Sequence, residues 1–334
     1  MSVARGFENR STAVEERVRN YWLPAALLAA LFSVPSAAAS DRLAMNASHV
    51  SLAVSADGTT AVVTYRSRGA LHHALVSGAV NALPPSQTVP QVRFKIDWTG
   101  GWATHRNGRW WQRLGNHCSA YDGPELAALV AACRAPDGSY WALQSWQPKL
   151  PHRGYPPYKA GQTDWELDVS HWTTPLAQLE VHADWAFNGQ AHNLFGRLLY
   201  NGAPVHGFHT VKGTGAPQDR YGRSLYINTF DSAYGRGWKR ETSIVFRNPT
   251  GVFCYSFWPT HDVSLPGQPA RPAGNGSKYR IDVVGPGVTP NLAVVVPDPG
   301  AWNPEDPAKV AYERQMKARQ LELSRGDKFC PTQT

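Results

Sequence analysis

The strongest constraint on this chain is a two-residue alternation of apolar and polar side chains, broken repeatedly by Asp-Gly and Asn-Gly steps. Val50, Leu52 and Val54 alternate before Asp57-Gly58, and Ala61, Val63 and Tyr65 alternate after it. Side chains two apart share one face of a pleated strand, and Gly after Asp or Asn supplies the positive φ that a tight hairpin turn requires. The same pattern returns at Leu176, Leu179, Val181, Ala183 and Trp185 before Asn188-Gly189, and over residues 194–200 before Asn201-Gly202. Residues 92–98, 139–146, 165–169, 225–230, 242–246, 251–258, 279–284 and 292–296 also read as strands. In residues 92–98 the alternation places Val92, Phe94, Ile96 and Trp98 on one buried face. Many short strands spaced by turns predict a mainly β chain, with a sandwich in the second half.

Two segments break the alternation. Pro124 opens an Ala/Leu run that continues to Cys133, which predicts one short helix in the first half. In residues 307–323, Val310, Met316 and Leu321 stand among charged residues, which predicts a C-terminal surface helix. A chain of 334 residues exceeds what one core usually organises. We therefore expect two β-rich domains, at residues 40–173 and 174–300, with the helix and a tether at 301–334. The proline-rich stretch at residues 147–163 reads as a loop between units.

Residues 1–39 read as a signal peptide. Arg17 and Arg19 precede an apolar run at residues 23–34, and Ala37 and Ala39 supply the small side chains that precede a cut after Ala39. A membrane span needs roughly 20 apolar residues, more than this run offers. The expectation is a secreted or cell-envelope protein with no membrane span after cleavage. Its four cysteines, Cys118, Cys133, Cys254 and Cys330, then predict two disulfides. Of the three possible pairings, Cys118 with Cys133 and Cys254 with Cys330 each close within one half of the chain.

The formal charge is +8, with no block of basic residues and no zinc-finger spacing, so nucleic acid is not an expected partner. No Gly-x-Ser-x-Gly elbow, phosphate-cradling loop or metal-ligand spacing is present, and no cofactor is expected. His206 and His209 would point to opposite faces of one strand, which disfavours a shared metal. His182 and Asp184 share a face and read as an exposed polar pair. Asp164, Glu166 and Asp168 alternate in the way that paired carboxylates for glycoside hydrolysis could. We read them as a solvated strand face.

Thirteen tryptophans are the other unusual feature. Trp102, Trp110 and Trp111 follow the glycine turns Gly100-Gly101 and Asn107-Gly108, which places them at the surface near Arg106 and Arg109. Tyr155 and Tyr158 lie in the proline-rich stretch. Exposed rings stack on sugar faces, and a guanidinium pairs with acidic sugars. These seven residues form the candidate glycan-binding set. The sequence therefore points to an exported, non-catalytic, envelope-associated module that binds glycan or cell-wall polymer. A polysaccharide-acting hydrolase and a protein-interaction or adhesion module are the alternatives.

The run Phe195-Gly196-Arg197-Leu198-Leu199-Tyr200-Asn201-Gly202-Ala203-Pro204-Val205-His206-Gly207 resembles the opening of carboxypeptidase-regulatory and transthyretin-like domains. Asp219-Arg220-Tyr221-Gly222-Arg223 resembles their acidic turn, and Lys278-Tyr279-Arg280-Ile281-Asp282-Val283 their closing strand. The resemblance covers residues 193–285. It implies an Ig-like or transthyretin-like sandwich for the second domain, serving as a scaffold or binding module without an active site. The first half carries no such resemblance.

Overall fold

The computed structural model describes residues 40–81, 94–105, 110–147, 163–173, 175–204, 209–210, 217–218, 224–232, 234–244, 250–257, 278–284 and 290–326. Residues 36–334 form one compact unit. The expected signal segment, Arg106, Arg109, Tyr155, Tyr158, His206, Cys330 and the turn at 219–223 lie outside the described residues.

The chain is mainly β. Its first half comprises β1 (Ser40–Met45), β2 (Ser48–Val54), β3 (Thr60–Ser67), β4 (Ala70–Gly78), β5 (Phe94–Asp97), α1 (Trp110–Arg113), β6 (Ser119–Ala120), β7 (Leu129–Arg134), β8 (Tyr140–Trp146) and β9 (Glu166–Trp172). Then come β10 (Gln178–Ala186), β11 (Ala191–Tyr200), β12 (Ala203–Pro204), β13 (His209–Thr210), β14 (Pro217–Gln218), β15 (Ser224–Phe230), β16 (Trp238–Ile244), β17 (Val252–Phe257), β18 (Lys278–Val284), β19 (Leu292–Pro297) and α2 (Pro307–Leu323).

Two antiparallel sheets build the first sandwich. Sheet A has the order β1-β9-β8-β7-β6, and sheet B the order β2-β3-β4-β5. Val54, Ala61, Val63 and Tyr65 share a buried face as their alternation predicts, and with Ala74, Val76 and Phe94 of sheet B they meet Leu43, Cys133, Trp141, Leu143, Leu167 and Val169 of sheet A. Gly58, at φ 77, turns the first hairpin, and its carbonyl accepts Trp141 Nε1 at 2.9 Å. That bond satisfies the polar end of a fully buried indole.

The second sandwich pairs sheet C with sheet E. In sheet C, β11 lies between β10 and β17 and also pairs β12; sheet E has the order β16-β15-β18-β19. Leu194, Leu198 and Phe253 of sheet C pack against Leu225, Ile227, Tyr279, Ile281, Val283 and Val296 of sheet E. Both Asn-Gly steps make the expected turns, with positive φ at Asn188, Gly189, Asn201 and Gly202. Helix α2 occupies the expected residues. Asp306 caps it by accepting from Ala308 N and Lys309 N, and Met316 and Leu323 pack on Phe195 and Val252 of the outer face of sheet C.

The helix expected from Pro124 to Cys133 is replaced by strand β7. Ala132 pairs with Ala142 and Cys133 with Trp141 of β8. Cys133 also reaches Cys118 in a disulfide with a Cα–Cα distance of 5.5 Å. Tertiary pairing of one face against a core outweighs the helix propensity of Ala and Leu, which amounts to only tenths of a kcal/mol per residue. The short helix of this half is instead α1. No free cysteine occurs among the described residues.

On the other face of sheet A, Ala142 and Trp172 pack with Leu126, while Gln144 reaches the chain entering sheet E. Gln144 Nε2 donates to Asn291 O at 2.9 Å, and Asn291 N donates back to Gln144 Oε1 at 3.0 Å. Asn291 Nδ2 donates to Ser40 Oγ, and Arg240 of β16 donates to Gln147 O. A buried polar seam thus joins the two sandwiches.

Candidate functional site

The aromatic loop between β5 and α1 grows out of a single carboxylate. Asp97 ends β5, where its side chain accepts Thr99 N at 2.9 Å, Thr104 N at 3.1 Å and Thr104 Oγ1 at 2.8 Å, together with Thr99 Oγ1. Partial burial would raise the Asp97 pKa, but these bonds outweigh it and hold the carboxyl below its usual value. Ala103 N donates to Thr99 Oγ1 at 2.8 Å, and His105 N to Gly101 O at 2.7 Å. The backbone from Asp97 to His105 is therefore tied to itself.

The glycines are needed for close approach as well as for turning. Gly101 has φ 97, and a Cβ there would stand 2.8 Å from Trp110 Cβ. Trp111 stacks on His73 of β4, with ring centroids 3.8 Å apart and planes 6° from parallel. Burial, then the charge of His72, lowers the His73 pKa, so this ring is neutral at neutral pH. Trp110 stacks on His105 at 4.4 Å.

These stacks sort the tryptophans differently from expectation. Trp102 is exposed, at 62%, whereas Trp110 and Trp111 are half-buried with a face of each used by a histidine. Trp98, expected in the core with Phe94 and Ile96, is 58% exposed. The alternation stops at Asp97, which starts a turn, so Trp98 leaves the strand register. Its Nε1 instead donates to Leu43 O of strand β1 at 3.2 Å. Asp97, His73 and His105 were not among the expected site residues. An Asp two residues before a Thr, followed by paired glycines, is the signal that could have marked the turn.

The acids of β9 also depart from expectation. Glu166 and Asp168 face the seam rather than solvent, and Asp168 retains 6% exposure. Burial raises the Asp168 pKa well above its ordinary value, and the charges of Glu166 and Asp41 raise it further against Arg42 and Arg240. Burial raises Glu166 as well, opposed by Arg42 and Arg240. Asp164 is half-buried nearby, with Oδ1 3.4 Å from Asn46 Nδ2.

Other chemistry-bearing groups form structural contacts. His182 Nε2 bonds Glu180 Oε1 at 2.6 Å rather than Asp184, and Glu180 also receives Arg319 of α2. Burial raises the Asp184 pKa to about 6. Ser139, His171 and Asp137 have the residue types of a hydrolytic triad but the wrong order. Asp137 accepts from Ser139, while His171 bonds Ser139 Oγ at 2.8 Å and Gly78 O at 2.9 Å. His171 is buried against Trp141, and burial lowers its pKa. Among the described residues, no group of three or more His, Cys, Asp and Glu could hold a metal ion.

Neither protein-family models nor curated protein sequences give a match to this chain.

Proposed function

We propose that the protein is a non-catalytic binding module for a glycan or cell-wall polymer, exported to the cell envelope, and that Trp102 and Trp98 make the contact. The observation that carries this reading is two exposed indoles on one loop whose backbone is fixed by Asp97. Two exposed indoles grouped on one loop offer a contiguous apolar surface to a partner. Here they are held out by a hydrogen-bonded turn rather than left on a floppy one, so little ordering entropy opposes binding. Flat indole faces suit the C–H faces of sugars. The disulfide Cys118–Cys133 fits an oxidising compartment, in line with the signal-like residues 1–39. No helix among the described residues is long and apolar enough to cross a membrane.

A hydrolase would need carboxylates within reach of a polymer bond, and the buried Asp168 is enclosed by the facing sheet. Retention on insoluble cell-wall polysaccharide tests the binding reading. Trp102→Ala and Trp98→Ala should each weaken retention by on the order of 1 to 3 kcal/mol, the scale for losing one stacked ring. Circular dichroism should remain that of the parent. Retention equal to the parent in both variants would remove the proposal.

A further inference from the structure

We propose that the recess between the end of helix α2 and the outer face of sheet C is a binding site for a small monocarboxylate with an apolar body, a short aliphatic or aryl acid, whose carboxylate is held by Arg197. The recess belongs to the second sandwich and shares no residue with the aromatic loop, so the proposal stands independently of the glycan reading.

Strand alternation supplies the walls. Leu194 and Leu198 of β11 enter the second core, so Phe195, Arg197 and Leu199 share the outer face. On β10, Glu180 lies directly opposite Arg197. Helix α2 packs on this face, and its last residue, Leu323, is buried on Phe195 and Val252. The helix stops there, with Ser324 N donating back to Gln320 O at 2.9 Å. Beyond that end the face around Arg197 and Leu199 opens into a cavity of about 530 Å³, which Glu180, Arg319, Glu322 and Leu323 also line. The volume is that of a small-molecule site.

The charges do not pair as the register invites. Opposite charges that face each other across two strands ordinarily join. Glu180 turns instead to the helix and along its own strand: its Oε1 accepts Arg319 Nε at 2.6 Å and bonds His182 Nε2 at 2.6 Å. Burial alone would raise the Glu180 carboxyl, but these bonds hold it below its usual value, so it stays ionised. Arg319 Nη1 also reaches Glu322 Oε2 at 2.6 Å, so one guanidinium serves two carboxylates. Arg197 is left over. Its Nε donates to Thr250 O at 3.1 Å, and among the described residues no carboxylate lies within ion-pair distance of it. Its two Nη groups have no protein partner there either, and neither is sealed from solvent.

The ligand class follows from what this arrangement offers. Two Nη donors in the rigid plane of a guanidinium match the two oxygens of a carboxylate. One uncommitted positive charge balances one negative charge. A phosphate or a dicarboxylate would bring a second charge against Glu180 and Glu322, and a cation would meet Arg197 while both glutamates are already held by Arg319. Leu199 and Leu323 add apolar surface to the same cavity, which suits a hydrocarbon or aryl body better than a sugar.

Calorimetric titration of the full chain with hexanoate and phenylacetate tests the proposal, with acetate, hexanamide, hexylamine and inorganic phosphate as comparators. At least one of the two acids should bind with one-to-one stoichiometry. Acetate, which lacks the apolar body, and hexanamide, which lacks the charge, should each bind roughly tenfold more weakly or worse. Arg197→Gln should weaken binding about ten- to a hundredfold, the scale of a hydrogen bond to a charged group. Arg197→Lys, which keeps the charge without the fork, should weaken it less. Leu199→Glu sets a negative charge beside the guanidinium and should abolish binding; it decides the matter if circular dichroism shows the Arg197 variants unfolded. Trp102→Ala should bind the acid as the parent does, which separates a failure here from a failure of the glycan reading. The proposal is overturned if neither acid binds, if acetate, hexanamide, hexylamine or phosphate binds as tightly as the acids, if folded Arg197→Gln or Leu199→Glu binds as the parent does, or if Trp102→Ala abolishes binding.

Discussion

Replacing Asp168 by Asn keeps the shape of the side chain and removes a charge the fold disfavours. In the folded chain burial raises this carboxyl, and Glu166 and Asp41 raise it further against Arg42 and Arg240. A carboxyl whose pKa is higher folded than unfolded binds more protons in the folded state. Its contribution to stability is then fully present below the unfolded value, near 4, and is lost as pH rises towards the folded value. A difference of one bound proton gives a slope of about 1.4 kcal/mol per pH unit. Within that window the parent loses stability that the Asn variant keeps. Removing the Asp168 charge also relieves Glu166, which works in the same direction. Urea unfolding with disulfides intact, followed by tryptophan fluorescence from about pH 4 to about pH 7, measures the difference directly. The variant should gain on the parent steadily as pH rises. A parent-to-variant difference that stays constant across this range would show that Asp168 is not held protonated by its surroundings, and would refute the reasoning.

Two further perturbations separate core from surface in the first sandwich. Trp141→Ala removes a ring with 0% exposure and its bond to Gly58, and should cost about 3 to 5 kcal/mol in urea unfolding. Trp98→Ala, at 58% exposure, should cost about 1 kcal/mol or less, and equal losses would contradict this assignment. Cys118→Ser combined with Cys133→Ser opens a loop with a sequence separation of 15 and should lower stability by about 3 kcal/mol; non-reducing denaturation that shows no change would contradict a structural role for the bridge.

Local signals were the legible part of this fold. Alternation and Asp-Gly or Asn-Gly steps fix hairpins because strand, turn and returning strand lie within about 20 residues and obey short-range sterics. The hairpins around Gly58, Gly189 and Gly202 and the capped helix after Asp306 follow these rules. Long-range pairing is not written locally. The partner of β1 is β9, where Ser40 meets Ser170, and nothing in either short strand names the other. The Ala-rich stretch before Cys133 misleads for the same reason: its strand state depends on β8 and on the disulfide, while propensity reports only on an isolated segment.

The functional surfaces were legible as faces but not as environments. Alternation correctly groups Glu166 with Asp168 on the side of β9 away from Leu167. Whether that side meets water or a second sheet is decided by the packing of sheet E, more than 50 residues further along the chain. A solvated row of acids and a buried acid pair facing Arg240 have the same local pattern and opposite chemistry. Exposed acids stay ionised at ordinary pKa values, whereas enclosed acids hold protons or demand donors. The tryptophans fail in the complementary direction. Trp98 has the correct parity for the core, and one turn-forming carboxylate at Asp97 takes it out of register and onto the surface. In both cases a single packing or hydrogen-bonding event converts a correct statement about sidedness into the reverse statement about exposure, which is the property that decides what each face can bind.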